Sequence, residues 1–253
     1  MKTTVKIVGA IALAAVIGLP LASCGGTGSP ANGTNRNGIE GNPILGESVD
    51  LEGVQLRHSF DNATFTENRN ITGVGFWHED PFQEFRTVTG WTGSIEDGLL
   101  NFSIDSPNIG DLWDIAEFFN SYIEDIGVPA DIFAGLAVGS AQAAAISHIN
   151  IPNGDIMRHR WEEGTPYIIE WVMYIYVDQN VTISGTGRTN NDMGCCCDPF
   201  RIITRNLNLN LQKGWNAVHL RADSRYGSGG IWTRTVTIAL SNPDRVRWVI
   251  REW

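Results

Sequence analysis

Apolar and polar positions alternate along much of the chain after residue 50, in short runs separated by Gly, Asn, Asp and Pro. This period of two residues is typical of β-strands. Leucines alternate with asparagines at 206–211 (NLNLNL), which predicts a strand with one buried and one exposed face. Residues 166–177 (PYIIEWVMYIYV) are apolar on both faces except for Glu170, which predicts a strand in the middle of a sheet. We therefore expect a mainly β fold, an antiparallel β-sandwich of jelly-roll-like form.

The same pattern predicts the extent of the strands and some of their connections. Asp178–Asn180 is predicted to turn the chain back as a hairpin after 166–177. Gln212–Gly214 is predicted to be a tight turn with Gly214 at positive φ, followed by Trp215 as a buried anchor. The predicted strands are 52–60, 71–77, 82–91, 98–105, 143–151, 154–160, 166–177, 180–186, 199–211, 215–222, 231–240 and 246–252.

One segment has helical spacing instead. Apolar residues recur at steps of three and four residues over 111–126, and Asp111 can cap the start of a helix there. Residues 129–141 predict a second short helix or a turn, so one or two short helices are expected near 111–141. Trp113, Phe118 and Phe119 cannot all face one core. The helix therefore either closes one end of the sandwich or covers an apolar pocket that these three side chains face.

The N-terminus has the three parts of a bacterial lipoprotein signal peptide. Lys2 and Lys6 form a basic region, 7–19 is apolar, and small residues precede Cys24. The apolar region is shorter than the roughly 20 residues that a membrane-spanning helix needs. We expect cleavage after residue 23 and acylation of Cys24, with palmitate or a similar chain as the membrane anchor.

The predicted signal peptide divides the chain into three segments. Residues 1–23 are the cleaved signal peptide, 24–43 are the lipidated cysteine and a flexible Gly- and Asn-rich tether, and 44–253 form a single β-sandwich domain. Gly25, rather than Asp, after Cys24 favours transfer to the outer membrane, if the cell has one. The predicted location is the bacterial cell envelope.

Charge narrows the choice of partners. Cleavage removes Lys2 and Lys6 and leaves 16 basic against 28 acidic side chains, a net charge of about −12. A chain this acidic is repelled by polyanions, which argues against nucleic acid and against electrostatic adhesion to anionic lipid. Membrane association should therefore depend on the lipid, and a protein or glycan partner remains to be found.

Three adjacent cysteines, Cys195, Cys196 and Cys197, form the most unusual local feature. Successive side chains of an extended segment point apart and the C-x-x-C spacing is absent, which argues against a zinc site. Three interpretations stay open: an exposed loop of free or adventitiously oxidised thiols, a disulfide within or between chains, and capture of a soft metal.

No catalytic arrangement stands out, so we expect no cofactor and no metal, and we favour a non-enzymatic role over an enzymatic one. His78-Glu79-Asp80 is the best enzyme candidate, since an imidazole and two carboxylates are adjacent, but Pro81 after it indicates a solvated turn. Glu170 is the carboxylate of most interest because its strand is otherwise apolar. If it is buried, it needs a partner such as Arg201 or Arg205, or it must be protonated.

Three stretches carry a resemblance to a known group of proteins. Residues 174–187 (YIYVDQNVTISGTG), 206–218 (NLNLNLQKGWNAV) and 241–249 (SNPDRVRWV) resemble a recurrent β domain of uncharacterised bacterial surface and envelope lipoproteins. The resemblance implies an envelope location and no particular activity, and it transfers no functional residue. GCCCDP at 194–199 departs from the short polar hairpin of that group.

Three function classes follow. The first is a membrane-anchored envelope lipoprotein with a non-enzymatic binding or structural role. The second is a carrier of apolar ligands with a pocket under helix 111–126. The third is a glycan-binding or glycan-active module, suggested by nine tryptophans in an exported β protein. We favour the first class.

Overall fold

The computed structural model describes residues 41–76, 86–116, 137–138, 140–163, 166–189, 200–227 and 231–252. Side chains are not described at 86, 137–138, 186–189, 200–206 and 231–232. The strands of the described part are β1 (Ile44–Gly46), β2 (Val49–Gln55), β3 (Arg57–His58), β4 (Gly73–Phe76), β5 (Arg86–Thr87), β6 (Trp91–Glu96), β7 (Leu99–Ile104), β8 (Trp113–Asp114), β9 (Ala137–Val138), β10 (Gln142–Ile146), β11 (His148–Ile151), β12 (Gly154–Glu162), β13 (Tyr167–Val177), β14 (Val181–Thr189), β15 (Phe200–Leu211), β16 (Gly214–Gly227), β17 (Ile231–Leu240) and β18 (Arg247–Glu252).

These strands form one large and one small sheet. The main path of the large sheet runs β5-β4-β11-β12-β13-β16-β17-β15-β14-β9, and the small sheet runs β2-β7-β6. Strands β1, β3, β8, β10 and β18 pair with members of the large sheet off this path. The β15–β17 and β18–β3 pairs are parallel, so the large sheet is mixed rather than wholly antiparallel. The fold is mainly β, as expected, and is consistent with a β-sandwich.

Strand β13 lies between two hydrophobic cores. Met173, Ile175 and Val177 enter a first core together with leucines of β15 and Val218 and Leu220 of β16. Val172, Tyr174 and Tyr176, which alternate with them, enter a second core that includes the small sheet, β11, β18 and Trp215. Because successive side chains of a strand point to opposite faces, a strand that is apolar at nearly every position must be covered on both sides.

Several predicted local features are confirmed. Leu207, Leu209 and Leu211 are buried while Asn208 and Asn210 are exposed. Gly214 has φ of +97°, and a Cβ there would lie 2.4 Å from the carbonyl oxygen of Gly46. Trp215 and Trp248 are both buried, in agreement with their predicted role as core residues.

The predicted hairpin at 178–180 is wrong. Strand β13 pairs with β12, β10 and β16, whereas β14 pairs with β15 and β9, so the two strands that this turn joins are not neighbours. A short polar connection therefore does not by itself specify pairing. The pairing is decided by which strands can bury the two apolar faces of β13.

The predicted helix does not begin at Asp111. Ile109–Asp111 is a single 3-10 turn, and Trp113–Asp114 is extended and pairs with Gln142 and Ala143 of β10. The pairing of β8 with β10 satisfies this backbone and buries Trp113, which outweighs the weak local helical pattern. Residues 115–116 are helical, and 117–136 lie outside the described residues. Ala137–Val138, near the end of the second predicted helix or turn, forms strand β9.

Candidate functional site

The most concentrated group of charges among the described residues surrounds Glu170 in the middle of β13. Glu170 has 0% of its surface exposed. Two partners lie on the strands that flank β13, because Arg160 of β12 and Arg221 of β16 are both in register with Glu170. Arg160 Nη1 donates to Glu170 Oε2 at 2.7 Å, and Arg221 Nη1 lies 3.5 Å from Oε1. Neighbouring strands therefore supply two of the charges that balance Glu170.

The strongest partner of Glu170 comes from the loop at 241–246, which connects β17 to β18. Arg245 Nη2 donates to Glu170 Oε1 at 2.6 Å, and Arg245 Nε lies 3.1 Å from both carboxylate oxygens. This fork-like contact is the geometry in which guanidinium and carboxylate bind most strongly. Half of the Arg245 side chain, 49%, remains exposed, so this loop lies over the carboxylate at the surface.

A second arginine fixes the same loop. Arg158 of β12 is buried and donates to the carbonyl oxygens of Val246, at 2.7 Å and 3.1 Å, and Pro243, at 2.9 Å. It also donates to the side-chain oxygen of Asn242 and lies 3.3 Å from the hydroxyl of Tyr174. The loop is thus held at both ends, by Arg158 near Asn242 and by Glu170 at Arg245.

Electrostatics keep Glu170 ionised. Burial raises the pKa of the Glu170 carboxyl, but hydrogen bonds from Arg245 and Arg160 and the charges around them outweigh burial and lower its pKa to about 2. The neighbouring acids balance the remaining charge, since Glu162 pairs with Arg160 and Asp223 pairs with Arg221. Three arginines and three carboxylates therefore neutralise one another.

His219 of β16 completes the cluster. Its Nε2 atom is buried and lies 3.1 Å from Glu170 Oε1, but the angle does not make a hydrogen bond. Burial lowers the pKa of His219 and outweighs the opposing effect of the Glu170 carboxylate. The neutral imidazole is thus favoured, and the lowered pKa of Glu170 is the opposite of the raised carboxyl pKa that general-acid catalysis uses.

The prediction that Arg201 or Arg205 is the partner of Glu170 is wrong, because the order of the strands separates them. Arg201 and Arg205 lie on β15, which β16 and β17 separate from β13. Arg160 and Arg221 could have been found from sequence only with the strand pairing known. Arg245 is 75 positions from Glu170 and carries no sequence signal for this contact.

A second surface feature lies beside this cluster on the opposite face of the sheet, because Trp161 directly follows Arg160 on β12. Trp161 near the end of β12 is 44% exposed, and Tyr226 near the end of β16 is 53% exposed. The rings of Trp161 and Tyr167 meet edge to face, with centroids 5.9 Å apart and planes at 72°. The presence of nine tryptophans in the sequence gave no indication that Trp161 in particular would be exposed.

Neither a family model, nor a curated protein, nor a solved structure matches this chain. Within the described ranges, no set of three or more His, Cys, Asp or Glu side chains is arranged to hold a metal ion. The part of the chain that the structure describes also contains no helix with the length and hydropathy needed to cross a bilayer.

Most of the candidate functional residues predicted from the sequence lie in segments that the structure does not describe. Cys24, Cys195–Cys197, Phe118, Phe119 and 78–80 lie outside the described residues. Trp113 is described and is 8% exposed, in the first core, where its ring meets Phe76 edge to face at 6.3 Å. This placement favours a packing role for Trp113 over a role facing a ligand.

Proposed function

We propose that this chain is a lipid-anchored lipoprotein of the bacterial cell envelope with a non-enzymatic binding role. In this proposal, Cys24 carries the acyl chains, 25–43 form the tether, and the β body beyond it engages a partner. The sequence from Lys2 to Cys24 supports export and acylation. The acidic mature chain makes the lipid, rather than surface charge, the source of membrane affinity.

The observation that carries the proposal is the way the end of the tether joins the β body. Gly41 N donates to the carbonyl oxygen of Asn242, and Ala217 N donates to that of Pro43 at 2.7 Å. Ile44 and Gly46 then pair with Asn216 and Trp215 of β16. A tether that ends in such fixed contacts holds the body at one place and leaves its distant surfaces free for a partner.

The charge network supports a non-enzymatic role. The buried carboxylate of Glu170 accepts hydrogen bonds from Arg160 and Arg245. The flanking arginines also form ion pairs with other carboxylates, Arg160 with Glu162 and Arg221 with Asp223. A catalytic acid or base needs a pKa near the working pH and access to a substrate. Glu170 has neither, so its charges serve to hold the 241–246 loop in place.

Replacing the acylated cysteine tests the proposal. We expect Cys24→Ala to abolish incorporation of an alkyne-tagged fatty acid and to move the protein from the membrane to the soluble fraction. The β body should keep its melting temperature, because Cys24 precedes a polar tether. Cys196→Ala is the matched control and should remain labelled and membrane-bound. Retention of label in Cys24→Ala, or absence of label in the wild type, would refute the anchor.

A further inference from the structure

Three aromatic side chains share one face at one end of the large sheet. Trp161 pairs across from Ile169 of β13, and Tyr167 pairs across from Ser224 of β16. Residues that pair directly project to the same face, and so do residues two apart on one strand. Trp161, Tyr167 and Tyr226 therefore form a diagonal row over three adjacent strands, which we call the aromatic row.

The exposed surface of the aromatic row has a particular chemistry. Trp and Tyr combine a flat apolar ring with one polar hydrogen-bonding group. The exposed large aliphatic side chains among the described residues, Ile44, Leu99 and Ile109, lie elsewhere, in β1, at the start of β7 and in the 3-10 turn. A surface for another protein's core or for acyl chains would be expected to include aliphatic groups.

Charges beside the aromatic row have both signs. Glu163, two residues after Trp161, is exposed and carries a negative charge. Arg234 on β17 is in register with Ser224 and donates to its hydroxyl at 3.1 Å. This balance favours a neutral ligand with many hydroxyl groups, because charged side chains of either sign can exchange hydrogen bonds with hydroxyls.

The aromatic row is also far from the tether. The chain joins the body beside Ala217, and Tyr226 lies nine residues further along β16, which corresponds to roughly 30 Å of strand. The row is thus separated along β16 from the point at which residues 41–43 join the body.

We propose that the aromatic row binds a neutral glycan, with a pyranose ring stacked on Trp161 and its edge against Tyr167. Tyr226 contacts a sugar unit further along the glycan, and the neighbouring charged side chains bond to the hydroxyl groups. The rings of Trp161 and Tyr167 are inclined at 72°, so that one can contact the face and the other the edge of the same sugar ring. This inference rests on the proposed binding role and names the class of partner.

Affinity electrophoresis tests this inference with the full chain purified in detergent. Native gels are cast with laminarin, xylan or galactomannan, three neutral polysaccharides, and hyaluronan serves as an anionic comparison. We expect at least one neutral polysaccharide to retard the wild type. Trp161→Ala and Tyr226→Ala should each weaken retention about tenfold, the effect of losing one aromatic stacking contact. Trp161→Phe should retain most of the affinity.

Phe60→Ala is the matched control, because Phe60 is also an exposed aromatic residue, with 84% of its surface accessible, and lies outside the row. It should bind like the wild type, and melting curves should show that all variants are folded. The inference is overturned if no neutral polysaccharide retards the wild type, or if retention does not depend on Trp161. Cys24 labelling is measured separately, so failure here leaves the membrane anchor standing.

Discussion

Glu170 is tolerated inside the sheet because its partners come from three directions. Arg160 and Arg221 reach it from the flanking strands, and Arg245 covers it from the 241–246 loop. Removing an ionised carboxylate from water is costly unless hydrogen bonds and opposite charges replace the lost solvation. Here the arginines remain partly exposed while the carboxylate does not, so water still solvates the positive side of the network.

Glu170→Gln should therefore destabilise the protein substantially. The amide has the same shape but no charge, so Arg245 and Arg160 lose their common partner. Breaking a buried ion pair costs about 3–5 kcal/mol, and the partial exposure of the arginines reduces the expected loss to about 2–3 kcal/mol. Urea unfolding at pH 7 measures the difference.

Glu162→Gln is the matched control for this substitution. Glu162 also pairs with Arg160, but 51% of its side chain is exposed, and exposed pairs contribute less than about 1 kcal/mol. Equal losses for the two variants would contradict the role assigned to burial. An unchanged stability of Glu170→Gln would show that the arginines are satisfied without the carboxylate charge.

At the scale of elements, the 241–246 loop links parts of the chain that are far apart in sequence. Asn242 accepts a hydrogen bond from Arg158 of β12 and donates one to the carbonyl oxygen of Asn42 at 3.1 Å. Its own backbone carbonyl accepts from Gly41 N. The last residues of the tether are therefore docked on the same loop that covers Glu170.

Asn242→Ala should loosen this junction. The change removes one partner of the buried Arg158 guanidinium and one of the Asn42 carbonyl, which should cost about 1–3 kcal/mol. Hydrogen exchange should become faster at Gly41 and Ala217, whose amides bond across the junction. Asp244→Ala changes an exposed residue of the same loop and should alter neither property. If the amides of Gly41 and Ala217 exchange at the same rate in Asn242→Ala and Asp244→Ala, Asn242 does not stabilise the junction.

Local sequence patterns predicted where strands occur better than they predicted which strands pair with each other. The alternation at Leu207–Leu211 and the apolar run of β13 identified two strands correctly. The positions of the apolar residues within a strand indicate which of its faces are buried. The turn at 178–180 was wrongly taken as a hairpin, because the sequence of a turn does not say which strands lie beside each other. Pairing depends on long-range packing of both faces.

The same distinction applies to the candidate sites. Glu170 could be singled out because one charge interrupts an apolar strand, but its partners could not, since they depend on strand order and on a loop 75 residues away. Trp161 could not be told from the buried Trp215 by composition. Trp161 lies one residue before the end of β12 and is 44% exposed, whereas Trp215 lies near the start of β16 and is buried.

At the scale of the whole molecule, burial of histidines should make stability depend on pH. Burial is the main cause that lowers the pKa of His148 and of His159 to about 4, and the positive charge of Arg251 acts in the same direction. In the unfolded chain both return to about 6.5. Between these values the unfolded state binds more protons than the folded state, so stability falls as pH decreases.

We expect the free energy of unfolding to decrease between pH 6.5 and 4 by up to about 1.4 kcal/mol per pH unit for each buried histidine. His148→Asn should lower this slope by the contribution of one histidine, whatever its effect on stability at pH 7, because a slope reports protons bound rather than packing. Lys213→Ala on the exposed turn before β16 should keep the wild-type slope. Urea unfolding at pH 7, 6, 5 and 4.5 gives these slopes for the wild type and both variants. A wild-type stability that stays flat over this range would mean that the buried imidazoles take up protons without unfolding.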